Sequence, residues 1–189
     1  MLIEAPRSRL VVIDLQTRLY AAMTPPQPNF LARIQLLTRA ALTLNVPVLV
    51  TRQYPRGLGP LVPEFADELP ESCAVHDKMS FSCCADDDLA KVFTDGRDQV
   101  LLAGIETHVC VLQTAFDLLA RGQTPYVIAD ACASRAPADR MQALERMRAE
   151  GVRVVSTESV VFEWLRDANH PAFRDLARAI RDLQAPAPP

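Results

Sequence analysis

With 189 residues, the chain is long enough for one globular domain with a substantial core. Hydrophobic residues make up 49% and charged residues 23%, ordinary values for a soluble fold. A formal net charge of −3, with no block of Lys or Arg, gives nucleic acid or an anionic membrane no electrostatic grip, so a small-molecule substrate is the expected partner.

The chain opens "MLIEAPRSRLVVIDLQ", with Glu4 ahead of an apolar run that reads as a core strand over 9–14. That pattern is not a signal peptide, and no apolar run is long enough to span a bilayer, so the expected location is cytoplasmic. Further strands are predicted at 46–51, 74–78, 99–104, 125–130 and 152–157. Their almost continuous apolar character suits a parallel sheet covered on both faces. Helical periodicity predicts helices over 29–44, 86–95, 107–121, 138–150 and about 171–183. The helix over 107–121 stops at Gly122, a good residue just past a helix end. Residues 52–73 form a long Pro- and Gly-rich insert, a length that compact domains usually reserve for function. The expectation is one α/β domain over residues 1–183 and a fraying tail over 184–189.

The five cysteines form no disulfide framework, since their number is odd and the chain is not a small secreted one. Without a CxxC, a structural zinc site is not expected. Cys83, Cys84 and Cys132 are expected to pack in the core, and Asp130 at a strand end to be structural.

Ligands of open α/β sheets bind beyond the carboxyl ends of the strands. Asp14 ends the first predicted strand, Lys78 ends the third, and Cys110 follows the fourth at the start of a helix. Taken singly, each has an ordinary structural role: turn residue, surface lysine, buried thiol. Together at one sheet edge they are a carboxylate, an amine and a thiol. Thr107 is expected to cap the helix, which puts Cys110 at its third position. The positive helix end and a neighbouring cation would lower the thiol pKa. Asp14 could then move the thiol proton, and backbone N–H groups could hold a developing oxyanion.

Four segments, "VVIDLQ" (11–16), "HDKMSFS" (76–82), "GIETHVCV" (104–111) and "VIADACASR" (127–135), resemble the isochorismatase-like (cysteine hydrolase) superfamily over almost the whole chain. The resemblance implies a three-layer αβα sandwich around a six-stranded, mainly parallel sheet. It implies a triad of Asp14, Lys78 and Cys110 that hydrolyses a small amide or related acyl compound through a thioester. It further implies a non-proline cis peptide at Ile105–Glu106 that helps aim the N–H groups of Glu106 and Cys110 into an oxyanion hole. Family members often assemble, so a homo-oligomer is expected, with Phe162, Trp164 and Phe173 as core or interface.

The metal-binding histidines of nicotinamidases have no counterpart in "TRQYPRGLGPLVPEF" (51–65), so no metal or other cofactor is expected. Gln16, Tyr20, Gln53, Tyr54, Leu58, Phe81 and His108 are expected around the thiol as substrate-binding residues. Three other readings stay open: a small-molecule or partner-binding protein with little turnover, a vinyl ether hydrolase of the isochorismatase type, and a thiol redox enzyme.

Overall fold

In the computed structural model, residues 1–23 and 29–184 are described. The chain runs through β1 (Ser8–Ile13), α1 (Thr17–Ala21), α2 (Phe30–Thr43), β2 (Val48–Gln53), α3 (Pro55–Leu58), α4 (Pro63–Ala66), β3 (Ala74–Lys78), α5 (Asp87–Ala90), β4 (Gln99–Ile105), α6 (Leu112–Ala120), β5 (Thr124–Ala133), α7 (Pro137–Ala149), β6 (Arg153–Val155), α8 (Thr157–Leu165) and α9 (Phe173–Gln184). Of the tail expected from residue 184, Gln184 closes α9 and the rest lies outside the described residues.

The six strands form one sheet in the order β3-β2-β1-β4-β5-β6, and every pairing is parallel. Helices cover both faces. Successive side chains of a strand point to opposite faces, and β1 shows the consequence. Leu10 and Val12 join a core with Ile34 and Leu37 of α2, Val160 and Trp164 of α8, and Leu176 and Ile180 of α9. Val11 and Ile13 join the opposite core with Ala115 and Leu118 of α6 and Leu144 and Met147 of α7. This is the three-layer sandwich that the segments above imply. Among the described residues, no helix is long and apolar enough to cross a membrane.

The sheet departs from the sequence expectation by more than one residue in three places, each with a local cause. β2 starts and ends later than 46–51, because its pairing with β3 continues to Gln53 opposite Lys78. β5 runs on to Ala133 through an irregularity in its register with β4 between Leu102 and Gly104. The Arg140 guanidinium bonds the carbonyls of Cys132, at 2.8 Å, and Ala129, at 2.5 Å, in this stretch. β6 stops at Val155, and the chain turns into α8, which periodicity did not reveal. Ser156 caps α8 by accepting from Ser159 N, and Asp130 accepts from Thr157 N at 2.8 Å. Asp130 also pairs with Arg33 at 2.6 Å, so it ties α2, β5 and α8 together. Trp164 belongs to the core, its indole N–H bonded to Ser8 Oγ at 2.9 Å, while Phe162 is partly exposed against Phe173.

In this strand order, β1 and β4 lie side by side at the point where the winding reverses, and a crevice opens beyond their carboxyl ends. Their ends are drawn close by Gly104. With φ at +120° and the Ile13 carbonyl oxygen 2.1 Å from where a Cβ would stand, position 104 admits only glycine.

Candidate active site

The peptide leaves β1 at Asp14 in a left-handed conformation, φ +52°, which turns its carboxylate toward the strand ends. Two groups fix that carboxylate. The Thr51 hydroxyl donates to Oδ1 at 2.7 Å, and the Lys78 ammonium meets Oδ2 at 2.7 Å. Both ionic side chains are fully buried. Lys78 belongs to the edge strand and must reach across the end of β2 to make this contact. Gln53, its register partner on β2, helps by accepting from Nζ at 2.8 Å. The carbonyls of Phe81, at 3.1 Å, and Ser80, at 3.3 Å, complete the ammonium's surroundings. A buried charge needs such partners, because desolvation penalises it otherwise.

Cys110 lies beside this pair, 5% exposed. Burial pushes its thiol pKa up, and the Asp14 carboxylate adds to the rise through charge and hydrogen bonding, while Lys78 acts in the opposite direction. The sequence expectation of a lowered pKa is therefore corrected for the resting protein. Desolvation and the facing carboxylate outweigh the helix end and the cation, and the thiol keeps its proton. A protonated thiol facing a carboxylate is the arrangement from which a base can take the proton when an electrophile arrives.

The expected cap at Thr107 is also corrected. The cap position is Glu106, and Thr107–Val111 form a wider π turn, with Val111 N bonded to Glu106 O at 3.3 Å, before α6 begins. Thr107 is fully buried and its hydroxyl has no partner among the described residues, so Cys110 sits one residue deeper than the third position. The Ile105–Glu106 peptide is cis. Glu106 is buried and accepts from Arg135 through both backbone N, at 3.0 Å, and Nε, at 3.1 Å.

Several residues expected to line a pocket do something else. The Gln16 amide is spent on backbone: its oxygen accepts from Gln53 N at 2.7 Å, and its nitrogen donates to the carbonyls of Gln53, at 3.0 Å, and Gly59, at 2.8 Å. It clamps the insert onto the strand ends. Gln53 gives its oxygen to Lys78 and its nitrogen to Met79 O at 2.7 Å. Tyr20 stacks on Phe30, with ring centroids 6.1 Å apart. His108 bonds Ser134 at 3.0 Å and faces Asp139 of α7. Leu58 is partly buried, and Tyr54 and Phe81 are exposed, so those three remain free to meet a ligand.

Thr51 and Thr114 went unnoticed in the sequence, as threonines inside a strand and a helix carry no signal of their own. Thr51 matters only once Asp14 is in place, and Thr114, whose hydroxyl donates to Cys110 O at 2.7 Å, only once Cys110 is. A cleft of about 290 Å³ runs from Pro55 past Lys78 and Met79 to Asp86. A larger surface hollow lies against α8, lined by Leu2, Phe162 and Glu163, and contains none of Asp14, Lys78 and Cys110. Among the described residues, no group of three or more His, Cys, Asp or Glu could hold a metal ion.

Comparison with known proteins shows the family and the fold. Residues 8–159 match the model of the isochorismatase domain. Isochorismatase domain-containing protein 2A of Mus musculus is 38% identical over 178 residues, covering 93% of this chain and 83% of its own. The solved structure of the MAR1 ribonuclease of Caenorhabditis elegans superimposes with a TM-score of 0.90 at 34% identity, covering 100% of this chain and 95% of the other. The YcaC gene product of Escherichia coli, solved as an octameric hydrolase of unknown specificity, has a TM-score of 0.79 at 25% identity, covering 97% of this chain and 98% of that one. On the domain match and the length over which the mouse protein aligns, this chain belongs to the isochorismatase-like hydrolase family.

Proposed function

We propose that the protein is a cysteine hydrolase of a small amide or related acyl compound. The observation that carries this reading is the buried Asp14–Lys78 pair with the Cys110 thiol beside it, at the crevice of the sheet. In this reading Asp14 takes the Cys110 proton as sulfur attacks the carbonyl carbon. The carbonyl electrons move onto oxygen, held by the N–H groups of Glu106 and Cys110. Collapse of that intermediate breaks the C–N bond, and Asp14 returns the proton to the leaving amine. Water then gives a proton to Asp14 and attacks the thioester, and collapse releases the acid and restores the thiol. Lys78 offsets the negative charge as it passes between Asp14 and sulfur.

Tyr54, Leu58 and Phe81 are proposed to contact the substrate. The octameric assembly of the bacterial neighbour supports a homo-oligomer here too. A screen of small amides that follows ammonia release tests the activity. Replacing Cys110 with Ala, or Asp14 with Asn, should abolish turnover of any substrate found. Turnover that survives both changes rules the mechanism out.

A further inference from the structure

A second thiol stands at the same site. Thr114 of α6 uses one hydroxyl for two cysteines: it accepts from Cys83 N at 3.0 Å and donates to Cys110 O at 2.7 Å. Both backbones are thus anchored on a single oxygen atom. The Cys83 and Cys110 sulfurs also respond to the same two charges, Asp14 and Lys78, and Cys83 acts on Cys110. Cys84 also acts on Cys83, but the remaining buried thiols face other charges. Cys84 faces Arg121 and Asp117, and Cys132 faces Arg140 and Asp130. Cys83 lies outside any strand or helix, in the irregular stretch between Lys78 and Asp87, so it can shift without breaking a regular element.

We propose that Cys83 is a resolving thiol for Cys110, closing a Cys83–Cys110 disulfide that shuts the hydrolytic site reversibly after a hydroperoxide has oxidised Cys110. The proposal rests on the reading of Cys110 as the nucleophile. In the first step Cys110 sulfur, its proton taken by Asp14, attacks one peroxide oxygen. The O–O bond breaks, the sulfur becomes a sulfenic acid, and the other oxygen leaves as water or an alcohol. In the second step Cys83 sulfur attacks Cys110 sulfur, the S–O bond breaks, and the departing hydroxide takes the Cys83 proton to leave as water. A dithiol supplies the two electrons that reopen the bond. Without a neighbour to condense with, a sulfenic acid goes on to sulfinic and sulfonic acids, which thiols do not reverse. Hydrolytic chemistry needs no second thiol there, whereas protection of the first thiol does.

The test treats the whole protein with hydrogen peroxide, quenches it in a denaturing alkylating buffer, and maps peptides without reduction. The expected product links the Cys83 and Cys110 peptides, and dithiothreitol returns both thiols. In Cys83→Ala, Cys110 should instead gain two or three oxygens, with about tenfold less thiol recovered by dithiothreitol. Oxidised Cys110 without the linkage, a linkage to any other cysteine, or equal recovery in the variant overturns the proposal. The wild-type map decides even where the variant does not fold. Over-oxidation of Cys110 without a linkage sinks the resolving role alone. A Cys110 that peroxide leaves untouched sinks the resolving role and the nucleophile reading together.

Discussion

The Asp14 carboxylate and the Lys78 ammonium meet at 2.7 Å with both side chains fully buried, although 64 residues of chain separate them. Removing one partner leaves the other as an uncompensated buried charge. Lys78→Met should therefore lower stability by about 3–5 kcal/mol, read from urea unfolding. Combining it with Asp14→Leu should recover much of the loss while leaving the protein inactive. A double variant as unstable as the sum of the singles would show that the pair is not coupled.

The elevated Cys110 pKa makes a test of its own. Because burial and then Asp14 hold the thiol in its protonated form, the alkylation rate of the native protein should keep climbing past pH 9.0, the ordinary thiol value. Asp14→Asn removes the carboxylate's charge and leaves Lys78 in place. The pH at which Cys110 alkylation levels off should fall in that variant, while hydrolysis falls too. A variant that levels off no lower than the wild type contradicts the arrangement.

Stability should also decline in alkali. Cys83 and Cys132 are pushed up to about 12 by burial, Cys84 to about 11, and Cys110 is raised as well. Groups raised in the folded state favour it fully below their unfolded pKa, and this advantage disappears as pH climbs toward the folded values. From about pH 9, each thiol should cost up to about 1.4 kcal/mol per pH unit. Denaturant titrations between pH 8 and about pH 11 would reveal the slope, and Cys132→Val should make it shallower. A flat profile there would mean the thiols ionise freely in the folded protein.

Gly104→Ala should combine a forbidden backbone with a collision against the Ile13 carbonyl oxygen. A loss of at least about 2 kcal/mol is expected, together with most of the activity, since Asp14 follows Ile13 directly. Gly122→Ala provides the control. Its φ is also positive, at +75°, but nothing lies within 4 Å of the added carbon. It should cost only about 1 kcal/mol and leave activity intact. Thermal melts of the two side by side separate collision from conformation.

In solution the protein should be an assembly. Light scattering at micromolar concentration should give a multiple of the 20.9 kDa chain mass, and a species of one chain mass would refute this.

The layered fold and the meeting of Asp14, Lys78 and Cys110 were legible because they follow from simple rules. Buried parallel strands are apolar throughout, and ligands gather at their carboxyl ends. What stayed hidden depends on side chains finding backbone. Gln16 and Gln53 read as pocket amides, since nothing in a sequence distinguishes an amide that faces a ligand from one that clamps a loop. α8 was missed because the strand expected over 152–157 ran across its Ser156 cap, and the second hold on its start, Asp130, lies 27 residues upstream in the chain. The direction of the Cys110 pKa shift was misjudged for the same reason. A helix end is visible in sequence, but the depth of burial that outweighs it is not.

The strand order also divides the molecule. Asp14 and Lys78 come from the half that ends before β4, and Cys110 from the half that begins with it. Opening the chain at the turn around Gly96 would therefore yield two fragments that are separately inert, one with the ion pair and one with the sulfur. Under the proposed mechanism, activity could return only as β4 pairs with β1, which would suit the chain to a split reporter of proximity.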